Sequence, residues 1–416
     1  MASLIPDKII FQLSIIVVMM IILPSFNFYL NNILLVWGLG SLVLLIYGAL
    51  IISMYYGIYI SAKYHLIRKS AGIVAVTLVL LGSLSYLLYS DYIGDRLILP
   101  DYNVVYSELL FMLLFLVPAL LVSSACRDWD LVLKYLFVLS PVIVFIAFFA
   151  WFLVGFKTYG DDSLNYLTLS YHVLTAGCVC LAKSFKGFHP VYWIASVVFL
   201  FIMVGSGSRG ALVCVLLFVF LLFLRHILAF PKSKSSKYLK VGCVLLVLSL
   251  PVLYVKVFDD VSVVFERIGI SSRIIDTLDD QSFLSSNSRA DIRGAIQEGV
   301  KENPFGYGLY GDRYITVKYY YEGSEYAHNI FYEFLADYGV VFGPLLLLAI
   351  LLFCTKCFWI NKASDIGLLL LLILPSGLLK LFFSDSYLMN IDFAILLGFL
   401  FSVKEVNYLP EEVVEE

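Results

Sequence analysis

The sequence predicts an all-α integral membrane protein of about 12 transmembrane helices, with one long polar loop between the ninth and tenth helices. Of the 416 residues, 61% are hydrophobic and only 14% are charged, whereas soluble domains are about 45–50% apolar and about 25% charged. A helix needs roughly 20 apolar residues to cross a bilayer, and apolar windows of about that length recur along the chain. Basic residues concentrate in alternate short loops, which is the pattern of a multi-pass protein. The net charge of −3 gives no indication of a nucleic-acid partner.

The apolar windows place the helices in order along the chain. The first window, which begins near Ile9, has no small-residue cleavage site after it, so we expect a first span rather than a cleaved signal peptide. The seventh and twelfth windows are short. The windows lie near residues 9–29, 33–58, 71–89, 104–125, 131–154, 166–182, 190–206, 210–230, 240–258, 329–355, 364–382 and 387–403.

Lysine and arginine in the short loops predict the orientation, because such residues favour the cytoplasmic side. They follow the second, sixth, eighth and tenth windows, and the intervening short loops are acidic or neutral. Both termini are therefore expected in the cytoplasm. The predicted organisation is nine transmembrane helices in 1–258, a large periplasmic loop with an amphipathic helix in 259–328, three further helices in 329–403, and a cytoplasmic acidic tail in 404–416.

The periplasmic loop contains one strong helix signal. Ser288 to Asp291 resembles a capping box, and apolar residues then recur with helical period until Asn303-Pro304. Arg289 and Arg293 are four residues apart and share one face. The pattern is typical of an amphipathic helix lying on the membrane surface. Its apolar stripe consists of Ile292, Ala295, Ile296, Gly299 and Val300.

Arginines on the periplasmic side are candidate ligands for a phosphate group, because guanidinium binds phosphate in a bidentate manner. The candidates are Arg209, Arg289, Arg293 and Arg313. The alternative is that each is solvated or touches lipid head groups. Arg209 begins a span among small residues, where an unpaired charge is costly, so we expect it to have a partner.

His328 is the candidate general base, because histidine titrates near neutral pH and this one stands where the long loop re-enters the membrane. Asn329, Glu333 and Asp337 follow it at helical spacing and could support the site. The alternative is that His328 is an ordinary interfacial residue.

Gly306 to Gly311 matches the dinucleotide-binding pattern G-x-G-x-x-G, but no strand precedes it. A tight glycine turn is therefore a better interpretation than dinucleotide binding.

Two motifs together resemble the O-antigen polymerase and ligase family of bacterial envelope glycosyltransferases. Ser206-Gly207-Ser208-Arg209-Gly210-Ala211 opens a span. Arg289, the run from Asn303 to Gly308, and Ala327-His328-Asn329 with Gly339 and Gly343 follow it. The motif resemblance covers roughly residues 200–345. Arg293 departs from the pattern, since an aromatic residue is expected at that position.

The resemblance implies transfer of glycans carried on undecaprenyl diphosphate, at the periplasmic face of the bacterial inner membrane, without a metal or other cofactor. The expected partners are the lipid-linked glycan, membrane lipid and, for a polymerase, a chain-length regulator protein. We favour a polymerase that joins repeat units, because the chain is rich in Leu, Phe and Tyr, with 33 Phe and 29 Tyr. A ligase acting on lipid A-core and a flippase of lipid-linked sugars remain as alternatives. Paired half-repeats, which a transporter would predict, are not evident.

Overall fold

The computed structural model describes residues 5–36, 42–94, 104–154, 166–186, 189–206, 208–229, 287–319 and 326–403. In these ranges the regular structure is entirely helical. The helices are α1 (Asp7–Val36), α2 (Leu42–Lys63), α3 (Lys69–Gly94), α4 (Val104–Phe111), α5 (Val117–Ala125), α6 (Trp129–Leu153), α7 (Tyr166–Lys186), α8 (Pro190–Ser206), α9 (Arg209–Ala229), α10 (Asn287–Glu302), α11 (Gly311–Tyr319), α12 (Ile330–Ile360), α13 (Asp365–Leu374) and α14 (Ile391–Ser402).

Within the described ranges, eight helical stretches are long and apolar enough to cross a membrane. Many of their apolar side chains are exposed at the protein surface, as at Leu44 and Leu87. Such exposure is favourable only where lipid replaces water as the solvent. The chain is therefore a multi-pass helical membrane protein. The stretches are Asp7–Leu34, Leu44–Lys63, Lys69–Tyr89, Ser107–Ala125, Trp129–Leu153, Arg209–Ala229, Ile330–Ile360 and Asp365–Phe382.

The count of 12 spans remains a prediction. Eleven of the predicted windows coincide with helices, but α7 is not among the eight candidate spans, and α8 and α14 are shorter apolar helices. The window 240–258, much of the predicted loop and the acidic tail at 404–416 lie outside the described residues. The helix α7 carries several polar side chains that are buried against its neighbours, including Ser170 and Thr175.

Two spans contain a wider π-helical turn, at Met112–Leu116 between α4 and α5 and at Pro375–Leu379 after α13. Pro118 follows the first turn, and Pro375 begins the second. Such turns loosen the regular ladder and are frequent at functional sites. After the second turn the chain passes through a short 3-10 helix, Lys380–Phe382, and reaches α14 through irregular backbone.

The glycine run between α10 and α11 docks into a break in α12. Gly339 has φ +79° and ψ 178°, which interrupts the helix and leaves backbone groups without helical partners. The Tyr307 and Gly308 amides donate to the carbonyls of Ala336 and Asp337 at 2.8 and 2.9 Å, and the Val340 amide donates to the Pro304 carbonyl at 3.0 Å. The loop therefore satisfies the groups that the break exposes. This is the tight glycine turn expected from the sequence, since Gly306 and Gly308 also have positive φ.

The amphipathic helix is present as α10, but protein rather than lipid covers its apolar stripe. Ile292, Ala295, Ile296 and Val300 are buried in a cluster with Ile315 of α11 and Ala336 of α12. The expectation that this stripe rests on the membrane surface is therefore wrong. The sequence shows that a helix has an apolar face, but the periodicity is the same whether lipid or another helix covers that face.

Gly339 should not tolerate a side chain. A Cβ at this position would overlap the Pro304 carbonyl oxygen and lie 2.5 Å from the Phe305 carbonyl carbon. Gly339→Ala should lower the free energy of unfolding by at least the roughly 1–3 kcal/mol of such backbone strain, measured as thermal unfolding in detergent. Gly294→Ala in α10, where a Cβ meets nothing within 4 Å, should be neutral or slightly stabilising. Equal stability of the two variants would contradict the docking of the glycine run into the break in α12.

Candidate functional site

A buried ion cluster joins the segment between α9 and α12 to the rest of the molecule. Arg313 of α11 is 1% exposed, and its guanidinium makes five hydrogen bonds. Nη1 donates to Asp312 at 2.6 Å and to Glu333 at 2.9 Å. Nε and Nη2 donate to Glu108 at 3.2 and 3.0 Å, and Nη2 also donates to Ser386 at 2.8 Å. One side chain thus links α4, α11, α12 and the segment 380–390.

The carboxylates keep Arg313 charged in this buried environment. Burial alone would lower the pKa of its guanidinium, but the negative charges of Asp312, Glu108 and Glu333 outweigh that effect and raise the pKa well above its ordinary value. Buried charges are tolerated only when they are paired and hydrogen-bonded. Glu333 also accepts from the Ser386 hydroxyl and from the Tyr387 amide, at 3.2 Å for the amide.

Asp337 extends the cluster by one helical turn. Its Oδ1 accepts from the Gly311 amide at 2.9 Å, and its Oδ2 accepts from the Tyr387 hydroxyl at 2.6 Å. The Tyr338 hydroxyl lies 3.1 Å from the Tyr387 hydroxyl. The helical spacing after His328 predicts that Glu333 and Asp337 support the site. The structure places both in contacts that hold α11 and the segment 380–390 against α12.

The cluster also anchors the backbone at His328. Asp312 accepts from the Ala327 amide at 2.8 Å, directly before the histidine. Directly after it, Asn329 caps α12 by accepting from the Phe331 amide at 2.9 Å. The Asn329 amide also donates to the Phe382 carbonyl at 2.7 Å. His328 lies between these two anchors with φ +54°, a left-handed conformation that is uncommon for a residue other than glycine.

Tyr326 connects His328 to the segment 380–390. The two rings lie 4.0 Å apart between centroids, with an interplanar angle of 49°. The side chain of Tyr326 is hydrogen-bonded to the Ser384 side chain and to the Asp385 backbone, and burial raises the pKa of its phenol to about 12. The phenol therefore stays protonated at physiological pH. Asp385 itself has φ +76° and forms an ion pair with Lys380 at 2.6 Å.

Arg209 approaches the same segment from α9. It is the first residue of that helix and is half-buried. The neighbouring Gly210 has no room for a side chain, since a Cβ there would overlap the Tyr171 hydroxyl and lie 2.7 Å from Cβ of Phe383. Gly210 therefore lets the start of α9 come into close contact with residues 380–383.

The other candidate arginines differ in their surroundings. Arg293 is exposed on α10. Arg289 lies in the first turn of the same helix, and its side chain is outside the part of the chain that the structure describes. Arg313 donates all five of its hydrogen bonds to protein groups. The residues next to Arg209 and next to His328 thus contact one segment, at Phe383 and Phe382, while Arg313 lies in the buried cluster that anchors the backbone at Ala327.

A cavity of about 810 Å³ opens beside this segment. Its walls include Tyr171, Tyr326, Lys380, Asp385 and Asp392. In the described part of the chain, no group of three or more His, Cys, Asp or Glu side chains is arranged to hold a metal ion.

Several residues of the cluster and of the segment 380–390 could not be identified as site residues from the sequence. Glu108 and Lys380 are isolated charges within the predicted apolar windows 104–125 and 364–382. Their partners in the structure are Arg313 and Asp385. Asp312, Ser386 and Tyr326 carry no motif of their own. The polar run Ser384-Asp385-Ser386 between two apolar windows was the available signal.

Comparison with known protein families gives a match over part of the chain. Residues 194–348 match the family model described as O-antigen ligase. That range contains the start of α9, the helices α10 and α11, and His328, and it confirms the family resemblance of the motifs. No curated protein and no solved structure matched the chain.

Removal of the Arg313 charge should destabilise the protein strongly. Arg313→Met leaves three buried carboxylates without their cation, and breaking a buried pair typically costs about 3–5 kcal/mol. The expected result is a large drop in the thermal unfolding midpoint in detergent. Lys318→Met is the matched control on the same helix, because Lys318 pairs with Glu302 at the surface and exposed pairs contribute little. Similar midpoints for the two variants would show that the cluster does not stabilise the fold.

Proposed function

We propose, with the O-antigen ligase family match of residues 194–348 as the premise, that this protein is a membrane glycosyltransferase. Its substrates are oligosaccharide repeat units linked to undecaprenyl diphosphate, which it polymerises into O-antigen or a related surface polysaccharide. The observation that carries the proposal is that Gly210, next to Arg209, and Asn329, next to His328, contact Phe383 and Phe382, in a segment whose following residues line a cavity. A cation and a base placed next to one segment suit a displacement in which a diphosphate departs.

The proposed reaction is a single displacement at the anomeric carbon of the donor sugar. An acceptor hydroxyl attacks that carbon, and the bond from the carbon to the diphosphate oxygen breaks. The hydroxyl proton passes to His328, and the electron pair of the broken bond leaves with undecaprenyl diphosphate. A sugar hydroxyl is a weak nucleophile, so the base is the side chain on which the rate depends most.

Arg209, Arg289 and Arg293 are the proposed ligands of the diphosphate. A guanidinium can stabilise the charge that develops on the leaving group, and we propose that it does so without a metal ion. Arg313 has a different proposed role, because its donors are already bound to protein groups. It supports the site from behind by fixing Asp312, which holds the backbone at Ala327.

The proposed setting is the bacterial inner membrane, with 12 spans, both termini in the cytoplasm and residues 259–328 in the periplasm. The alternating basic loops support this orientation. A lipid-linked donor reaches a site at the membrane surface by lateral diffusion. Buried apolar contacts hold α10 and α11 against α12, next to His328.

O-antigen ligase activity is the second candidate, and the description of the matching family favours it. The two activities share the donor and differ in the acceptor, which is another lipid-linked repeat unit or lipid A-core. Purified protein incubated with lipid-linked repeat units alone distinguishes them by the size of the products. A polymerase forms a ladder of chain lengths, whereas a ligase forms product only after lipid A-core is added. A chain-length regulator protein would alter the length of the ladder without altering its repeat.

His328→Ala and His328→Gln test the proposed base. Loss of a positioned base should reduce turnover by about 10²–10⁴-fold, while binding of the lipid-linked donor stays near the wild-type value. His189→Ala is the matched control. His189 is exposed and lies directly before α8, at the opposite end of that helix from Ser206, the end that approaches α9. The His189 ring should therefore be dispensable for turnover.

Two outcomes would change the assignment. Normal turnover in both His328 variants would remove the histidine from catalysis. Loss of donor binding with the loss of turnover would instead place His328 among the diphosphate ligands.

A further inference from the structure

The cavity beside residues 380–390 is large enough for a ligand and has both polar and aromatic walls. Its volume of about 810 Å³ falls in the range of about 300–1,000 Å³ that is common for small-molecule sites. Aromatic residues and residues with hydrogen-bonding groups both line it. They include Tyr47, Phe111, Phe115, Thr168, Tyr171 and Asn390.

The charges on the walls do not suit a diphosphate. In the part of the chain that the structure describes, the charged residue types that line the cavity are Lys380, Asp385 and Asp392. Lys380 is paired with Asp385 at 2.6 Å, so its charge is already balanced. A polyanion would meet no excess positive charge here, whereas a neutral, hydroxyl-rich group would meet good hydrogen-bond acceptors.

Asp385 is a preorganised acceptor on this wall. Its Oδ2 accepts from Lys380 at 2.6 Å and from the Asn390 amide at 3.1 Å, and its Oδ1 accepts from the Ser386 amide at 3.0 Å. A carboxylate has about four acceptor positions, so Oδ1 keeps capacity for a ligand hydroxyl. These bonds, and Lys380 above all, offset the burial and hold the pKa of Asp385 below its usual value.

The position of Asp385 relates the cavity to the proposed base. The Asp385 backbone is hydrogen-bonded to Tyr326, and the Tyr326 ring lies against the His328 ring at 4.0 Å. Tyr326 also lines the cavity, so the cavity and His328 share this tyrosine as a neighbour. A general base acts on the acceptor hydroxyl, so the acceptor is the substrate that should occupy this space.

We infer that this cavity is a glycan-binding subsite for the acceptor, in which Asp385 and Asp392 accept hydrogen bonds from sugar hydroxyls and the aromatic walls cover the apolar faces of the sugar rings. The inference rests on the proposed function and adds the place and chemistry of acceptor recognition. Lys380 is a positioning residue, because it fixes the Asp385 carboxylate.

The test uses full-length protein in nanodiscs and a lipid-free oligosaccharide, released by mild acid from the lipid-linked repeat unit of the source cells. Asp385→Asn removes one acceptor and the charge, and asparagine tolerates the left-handed conformation at this position. Ser25→Phe, on the α1 wall, fills the cavity and leaves the Lys380–Asp385 pair intact. Asp130→Asn, exposed in the first turn of α6, is the matched control.

The oligosaccharide Kd, its KM as acceptor and the Kd of the lipid-linked donor are measured for each variant. Asp385→Asn should raise the acceptor Kd and KM about tenfold, the effect of one lost hydrogen bond to a charged group. Ser25→Phe should raise them at least as much, and both variants should bind the donor within about twofold of wild type. Asp130→Asn should match wild type in all three quantities.

Three results would contradict either the acceptor subsite or the proposed function. Wild-type acceptor constants in Ser25→Phe would overturn the subsite, even if Asp385→Asn fails to fold. Weaker donor binding with unchanged acceptor binding would also overturn it, because the cavity would then hold the donor. If wild-type protein binds the oligosaccharide but transfers nothing to it, the proposed function fails, and the Kd comparison still decides the subsite.

Discussion

The ion cluster around Arg313 is the interaction on which the arrangement of the site depends. A single guanidinium, with all five of its hydrogen bonds inside the protein, joins Glu108, Asp312, Glu333 and Ser386. These residues come from distant parts of the chain, and the cost of burying their charges is offset only when all are in place. The cluster therefore ties the docking of α11 to the positions of α4, α12 and the segment 380–390.

The break in α12 complements the cluster. A continuous helix would offer no free backbone groups to the glycine run. Because Gly339 interrupts the ladder, the carbonyls of Ala336 and Asp337 can accept from that run. Backbone hydrogen bonds at the break in α12 and the ion cluster around Arg313 thus hold the same region of the molecule. His328 follows directly after one anchored residue and directly before another, which explains how a left-handed backbone conformation is held at this position.

The sequence predicted those features that depend on local periodicity. Apolar windows located eleven of the described helical stretches, and the capping signal at Ser288 located α10. The features that failed depend on contacts between distant residues. Glu108 and Arg313 are 205 positions apart, so nothing in the sequence around either residue indicates the other. The apolar stripe of α10 has the same pattern whether lipid or α12 covers it. Asp385 and Tyr326 carry no motif, because their position beside the cavity arises from the irregular backbone after α13.

Amide hydrogen exchange at Ala327 tests most directly whether the cluster positions His328. The Ala327 amide donates to Asp312, whose other oxygen is bound to Arg313. In Arg313→Met the account predicts that Ala327 exchanges at least about tenfold faster than in Lys318→Met, because its acceptor Asp312 loses the cation that holds it. Amides in the middle of α6 should exchange equally in both variants and serve as the internal reference. Unchanged protection at Ala327 in a folded Arg313→Met protein would contradict the account.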